Sequence, residues 1–313
     1  MNRICNILVF VDPTVAVHPS VDKAAALAAK LNARLELYVC DTRATREMRL
    51  LESHKQKADA RVTMNLKPML EALARPLRER GIDVTTECEY ANVLHEGLLD
   101  RAKRTTADLI VKDTHHHSLA QRTFLTNTDW ELIRGSPIPV LLTKEHTWQS
   151  SLRILAAVDP GHVNDKPESL DQEILDHAQL LTKRLGGELH AAHAYVPITI
   201  AATADAVLAP MATTLDPSVF ELEEKQQRNR LRALTEAYGI GADRLHLELG
   251  VASEVLPQLS RQLKADLLVM GAVARRGLAK IFVGSTAERV LERLPCDVLV
   301  VKPTDFSAAI PVP

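Results

Sequence analysis

The chain alternates short apolar runs with longer stretches in which apolar residues recur every three to four positions. The runs ILVFV, LIVK, VLLT, ILAAV, LLVM and DVLVV are four or five residues long and almost wholly Val, Ile, Leu and Ala. That is the pattern of strands buried on both faces. Between them, segments such as AAALAAKL (24–31) and ILDHAQLLTKRL (174–185) carry the helical period. Strands that alternate with amphipathic helices imply parallel strands joined by helical crossovers, so the fold class is α/β.

The pattern occurs twice. ILVFVDP (7–13) returns as ILAAVDP (154–160), ADLIVKD (107–113) as ADLLVMG (265–271), and PIPVLLTK (137–144) as PCDVLVVK (295–302). From about Asn92 to Lys144 the offset is a constant 158 residues. A repeat of that length is a whole domain, and 313 residues suffice for two cores. The expected division is 1–148 and 149–313, with the join near Glu145 to Leu152. Each half should hold five strands.

Charge and cysteine usage narrow the function classes. The 38 basic and 40 acidic residues leave a net charge of -2, without the basic excess of a nucleic-acid binder. Cys5, Cys40, Cys88 and Cys296 show no paired spacing and sit in or beside apolar runs, as reduced thiols do. No apolar stretch is long enough for a membrane span, and the N-terminus does not read as a signal peptide. A cytoplasmic protein is the expectation.

A VDP that closes the first strand, and a glycine-bearing loop after the fourth, resemble the universal stress protein family, and within it the members with two such domains in tandem. The likeness runs over nearly the whole chain. It implies doubly wound, five-stranded parallel sheets with strand order 3-2-1-4-5, and an adenine-nucleotide site, ATP or a relative, in some members. The family's nucleotide motif, G-x2-G-x9-G-[ST], is met at Gly271, Gly284 and Ser285 and broken at Ala274.

In a doubly wound sheet, ligands sit beyond the carboxyl ends of the strands where strand order reverses. With the family's order, Asp159 and Gly271 flank that crevice. A carboxylate there can accept from a ribose or base, Gly271 lets backbone approach a ligand, and Gly284-Ser285-Thr286 offers amides and hydroxyls to an anion at a helix start. Ala194 joins the set where the second strand ends and the family's backbone meets adenine. The alternative is plainer: Gly271 ends a strand and Ser285 caps a helix. A methyl group at Ala274 crowds the phosphate end. Arg275 and Arg276 read as solvated loop side chains or as phosphate contacts.

The constant offset puts Asp113, His116, Thr126 and Asn127 where the second half has Gly271, Ala274, Gly284 and Ser285. Both approach glycines are gone, and a carboxylate at the phosphate end repels a triphosphate. The first half should therefore be scaffold only. Its loop carries His115-His116-His117, of which only His115 and His117 share a side in extended chain; they are the one candidate metal pair, without an evident further ligand.

Residues 197–220, PITIAATADAVLAPMATTLDPSVF, are inserted after the second strand of the second half and carry two charges, Asp205 and Asp216. So apolar a segment must cover something: its own domain, its partner domain, or a pocket for a lipid-like ligand. No nucleophile elbow, Walker loop or zinc-protease motif is present, so binding or signalling is expected rather than catalysis. Finally, each half ends in an apolar fifth strand that cannot stay bare. The two halves should pack face to face as a pseudo-dimer within one chain through those strands, giving a monomer that does not exclude further dimerisation.

Overall fold

The computed structural model describes residues 3–42, 55–114, 125–161, 168–197, 217–272 and 285–303. The first half contains β1 (Asn6–Phe10), α1 (Pro19–Leu31), β2 (Arg34–Asp41), α2 (Lys55–Glu79), β3 (Val84–Tyr90), α3 (Leu94–Arg104), β4 (Leu109–Asp113), α4 (Asn127–Gly135) and β5 (Val140–Thr143). The second contains β6 (Leu152–Ala157), α5 (Glu168–Leu185), β7 (Gly187–Tyr195), α6 (Pro217–Thr235), β8 (Leu245–Leu249), α7 (Ala252–Leu263), β9 (Leu267–Gly271), α8 (Ser285–Arg293) and β10 (Asp297–Val301).

Local chemistry sets several boundaries. Pro19 opens α1, where its missing amide hydrogen costs nothing. Asn32 closes the helix in the left-handed conformation, φ 54°, and its amide donates to Ala28. The repeated Ala-Asp-Leu before the fourth strand has a shared job. Asp108 accepts from the amides of Cys5 (2.7 Å) and Asn6 (2.9 Å), and Asp266 accepts from those of Gln149 (3.0 Å) and Arg153 (2.9 Å). In each half this carboxylate ties the start of the fourth strand to the start of the first.

The ten strands form one sheet in the order β3-β2-β1-β4-β5-β10-β9-β6-β7-β8. Each half thus has the order 3-2-1-4-5, all parallel. The fifth strands pair antiparallel, Val140 with Val300, Leu141 with Leu299 and Leu142 with Val298. The join is therefore edge to edge, not face to face. Hydrogen bonding satisfies both apolar edges at once, which stacking would have left open. Two buried layers run across it. One holds Val9, Leu27, Leu37 and Leu70 with Ile154, Leu170, Ile174 and Leu267, under α1, α2, α5 and α6; the other holds Leu8, Leu98 and Leu132 with Leu268, Leu256 and Leu291, under α3, α4, α7 and α8.

Candidate functional site

In the second half, strand order reverses between β6 and β9, which pair in parallel with Ala157 beside Met270. Asp159 follows β6, Gly271 ends β9 and Ala194 lies near the end of β7, so these three expected residues do gather at one end of the sheet. Helix α8 returns the chain to β10 from that end, with Ser285 and Thr286 in its first turn and Thr286 exposed. Ala274 and Gly284 lie outside the described residues, as do His115 and His117. Among the described residues, no group of three potential ligands stands in metal-binding proximity.

The environment of Asp159 is built by residues that the pattern of the chain does not single out. Its amide donates to Asp171 Oδ1 (3.0 Å) on the first turn of α5, a fully buried side chain. Its own carboxylate stands 3.8 Å from Nδ1 of His193, whose side chain is only 4% exposed. That nitrogen also lies 3.2 Å from the carbonyl of Val158. Burial lowers the His193 pKa, against the pull of Asp159, so the ring is neutral at physiological pH. A ring that donates from Nδ1 to Val158 keeps the end of β6 in place.

Gly271 has a role that the motif did not suggest. A methyl group added there would fall 2.5 Å from Leu170 Cδ2. The first turn of α5 thus packs directly on the end of β9, and only glycine leaves it room. The two helices end alike, at Asn32 and Gly186 in the left-handed conformation, and the strands that follow pair in the same register, Ile7 with Leu35 and Ile154 with Leu189, so Ser20 corresponds to Ile174 and Leu170 lies on a further turn at the start of α5. Where the second half has Gly271 against Leu170, the first has Asp113 against Ser20. Asp113 accepts from the amide (2.7 Å) and hydroxyl (2.6 Å) of Ser20 and from Thr143 Oγ1 (2.7 Å).

A second exchange fills the other wall of the first crevice. Lys112 and Asp129, both buried, stand 2.8 Å apart, where the second half has Met270 and Ala287. Asp129 also accepts from the Thr126 amide, while Thr126 Oγ1 accepts from the Asp129 amide, a reciprocal cap on α4. The positive end of α4, which in an anion site would face a phosphate, is taken up by the protein's own carboxylate. Asp113 was expected to repel a triphosphate at the phosphate end of the crevice. Instead it is turned inward and anchors α1.

Comparison with known proteins agrees with this architecture. The universal stress protein family model matches twice, over residues 4–144 and 152–302. The chain belongs to the universal stress protein family. It is similar to Universal stress protein E of Escherichia coli strain K12, at 27% identity over 311 residues, spanning 97% of this chain and 96% of that protein. A Pseudomonas aeruginosa PAO1 protein of unknown function superposes with TM-score 0.76 at 29% identity, covering 96% of this chain and 94% of its own. A universal stress protein from Archaeoglobus fulgidus shares the fold at 17% identity and TM-score 0.66, covering 95% and 98%. In the described residues no helix is long and apolar enough to cross a membrane.

Proposed function

We propose that this stress protein holds one adenine nucleotide, ATP or a close relative, per chain, and that it does so in the second half, residues 149–313. The first half, residues 1–148, serves as scaffold. The observation that carries this reading is the contrast between the two crevices. The first is closed by its own polar pairs, Asp113 with Ser20 and Lys112 with Asp129; at the corresponding places the second has Gly271, Ile174, Met270 and Ala287, so neither pair is present there.

The residues suit the group. Asp159 would accept from a ribose hydroxyl, the backbone at Ala194 would meet the base, and Gly271 and Gly284 would let the chain pass close to the phosphates, with Ala274 lining the same loop as the one departure from the motif. Ser285 and Thr286 would donate to them from the first turn of α8. The nucleotide supplies the signal, and the protein supplies binding and orientation in the cytoplasm, where its four free cysteines are at home. Calorimetric titration with ATP should give one site per chain, lost on Gly284→Asp. Two equal sites, or binding that survives the substitution, would defeat the proposal.

One observation favours a second reading, the capture of an apolar metabolite. Of eight exposed large apolar side chains among the described residues, six lie at one end of the second half: Val196, Val219, Phe220, Leu222, Leu249 and Val251. The segment 198–216 leaves and rejoins the chain between them. Deleting residues 201–214 should abolish retention of a fatty-acyl probe and raise the binding of dyes that report exposed apolar surface; unchanged retention would dismiss this alternative.

A further inference from the structure

The two halves do not keep one offset between their first and second strands. The first strands correspond at 147, Ile7 to Ile154, and the second strands at 154, Leu35 to Leu189, so seven more residues separate them in the second half. Because the helices end alike at Asn32 and Gly186, the excess lies ahead of that end. Part of it is helix. The counterpart of Pro19, which opens α1, is Glu173, whereas α5 already begins at Glu168.

This further turn stands at the carboxyl end of the sheet, where strand order reverses. Asp171 on it, wholly buried, accepts from the amide of Asp159 (3.0 Å). Leu170, also wholly buried, faces Gly271 with its whole branched end: a Cβ on that glycine would fall 2.5 Å from Cδ2, 2.7 Å from Cγ and 3.0 Å from Cδ1. A glycine admits a ligand to the backbone because the space of a side chain is left open. At Gly271 that space is filled by Leu170. The next amide is committed as well, since that of Ala272 donates to the carbonyl of Val301 (3.1 Å).

We infer, building on the nucleotide site proposed above, that Leu170 is an autoinhibitory plug: it holds the place at Gly271 that the phosphates of a nucleotide would take, and phosphate-bearing ligands bind only by displacing it. The two crevices are closed in different ways. Parting Lys112 from Asp129 in the first would leave buried charges uncompensated, which is strongly disfavoured. Withdrawing Leu170 in the second costs the burial of one apolar side chain. Only the second crevice can open. The plug is also selective, because it bears on one end of the ligand. The Asp159 side chain keeps 24% of its exposure, and Ala194 is partly exposed, so the ribose and base end is not covered by Leu170.

Calorimetric titration of the full chain and its Leu170→Ala variant, with adenosine and with ATP, separates the two ends. ATP should bind the variant about tenfold more tightly than the parent, the order expected when one buried leucine no longer has to be exposed. Adenosine should bind both alike. Equal or weaker ATP binding by the variant, with adenosine still bound, overturns the plug and leaves the nucleotide site standing; so does a gain that adenosine shares, which would reflect a loosened domain. If neither protein binds adenosine or ATP, the site itself falls and the plug with it. Should Leu170→Ala fail to fold, Leu170→Met keeps the volume in an unbranched, more pliant side chain. It should still tighten ATP and not adenosine, and an unchanged ATP affinity would overturn the plug.

Discussion

Gly271 and Asp113 occupy one place in two copies of the fold and are held in opposite ways, one by contact with Leu170 and the other by three hydrogen bonds. A glycine beside the proposed nucleotide site is thus also a packing requirement. Gly271→Ala should destabilise the chain by about 1–3 kcal/mol, the usual range for a methyl group forced into a filled core. Urea unfolding with and without Leu170→Ala measures it. The double variant should lose less than the two single losses combined, because truncating Leu170 creates the space that the new methyl needs. A Gly271→Ala midpoint equal to the parent's would mean that Leu170 moves aside freely, and the glycine would then be explained by the ligand alone.

At the scale of elements, β8 ends the sheet and pairs with β7 alone among the described strands. A histidine pair spans the two: His190 Nδ1 lies 3.1 Å from His246 Nε2, with ring centroids 5.3 Å apart. One ring must donate and the other accept, so at least one is neutral. Burial lowers the pKa of both, and for His190 the neighbouring His246 lowers it further, against the weaker pull of Glu188 on β7 (3.8 Å). A histidine whose folded pKa lies below its unfolded value of about 6.5 binds fewer protons in the folded state. Its contribution is full above about pH 6.5 and is lost as pH falls towards the lowered value. The thermal midpoint should therefore drop between about pH 7.5 and pH 5.5, and His246→Gln should flatten the drop. Equal drops in both proteins would remove this pair as the cause. The tightly paired carboxylates act in a lower window, Glu71 being held at about 2 chiefly by its hydrogen bond from Arg78.

For the whole molecule, the continuous sheet and the two shared core layers make each half the cover for the other. Further contacts cross the join above the strands, α1 against α5 and Arg134 of α4 to Glu288 of α8 (3.4 Å). Burial at the join lowers the Lys144 pKa to about 8 and raises that of Asp297 against the opposing pull of Lys23. Lys23 Nζ (2.7 Å), the Lys144 amide (2.8 Å) and Trp148 Nε1 (2.7 Å) all donate to Asp297 and call for its ionised form. Residues 1–148 and 149–313 produced separately should each expose a fifth strand and Leu141 or Leu299 at its centre. On a sizing column they should recombine when mixed, with self-association of the isolated halves as the lesser product. Two independent monomers that ignore each other would show that the edges need no cover.

Much of this was legible in the chain itself. Strand positions, the α/β class, the repeat and the end of the sheet where Asp159, Ala194 and Gly271 meet all follow from signals confined to short windows or from one half copying the other. Such signals survive in sequence because burial on both faces of a strand forces an apolar run, whatever lies on either side. The edge-to-edge join, the inward turn of Asp113, the seat of Leu170 on Gly271 and the Lys23–Asp297 pair were decided only by the tertiary structure. Their partners are 93 residues apart in the case of Asp113 and Ser20, and 274 in that of Lys23 and Asp297. A buried lysine within a run of alanines, or an aspartate ahead of VLVV, announces that a counter-charge exists, since a lone charge cannot remain in a core. Which residue answers it depends on how the two halves meet, and no local pattern encodes that.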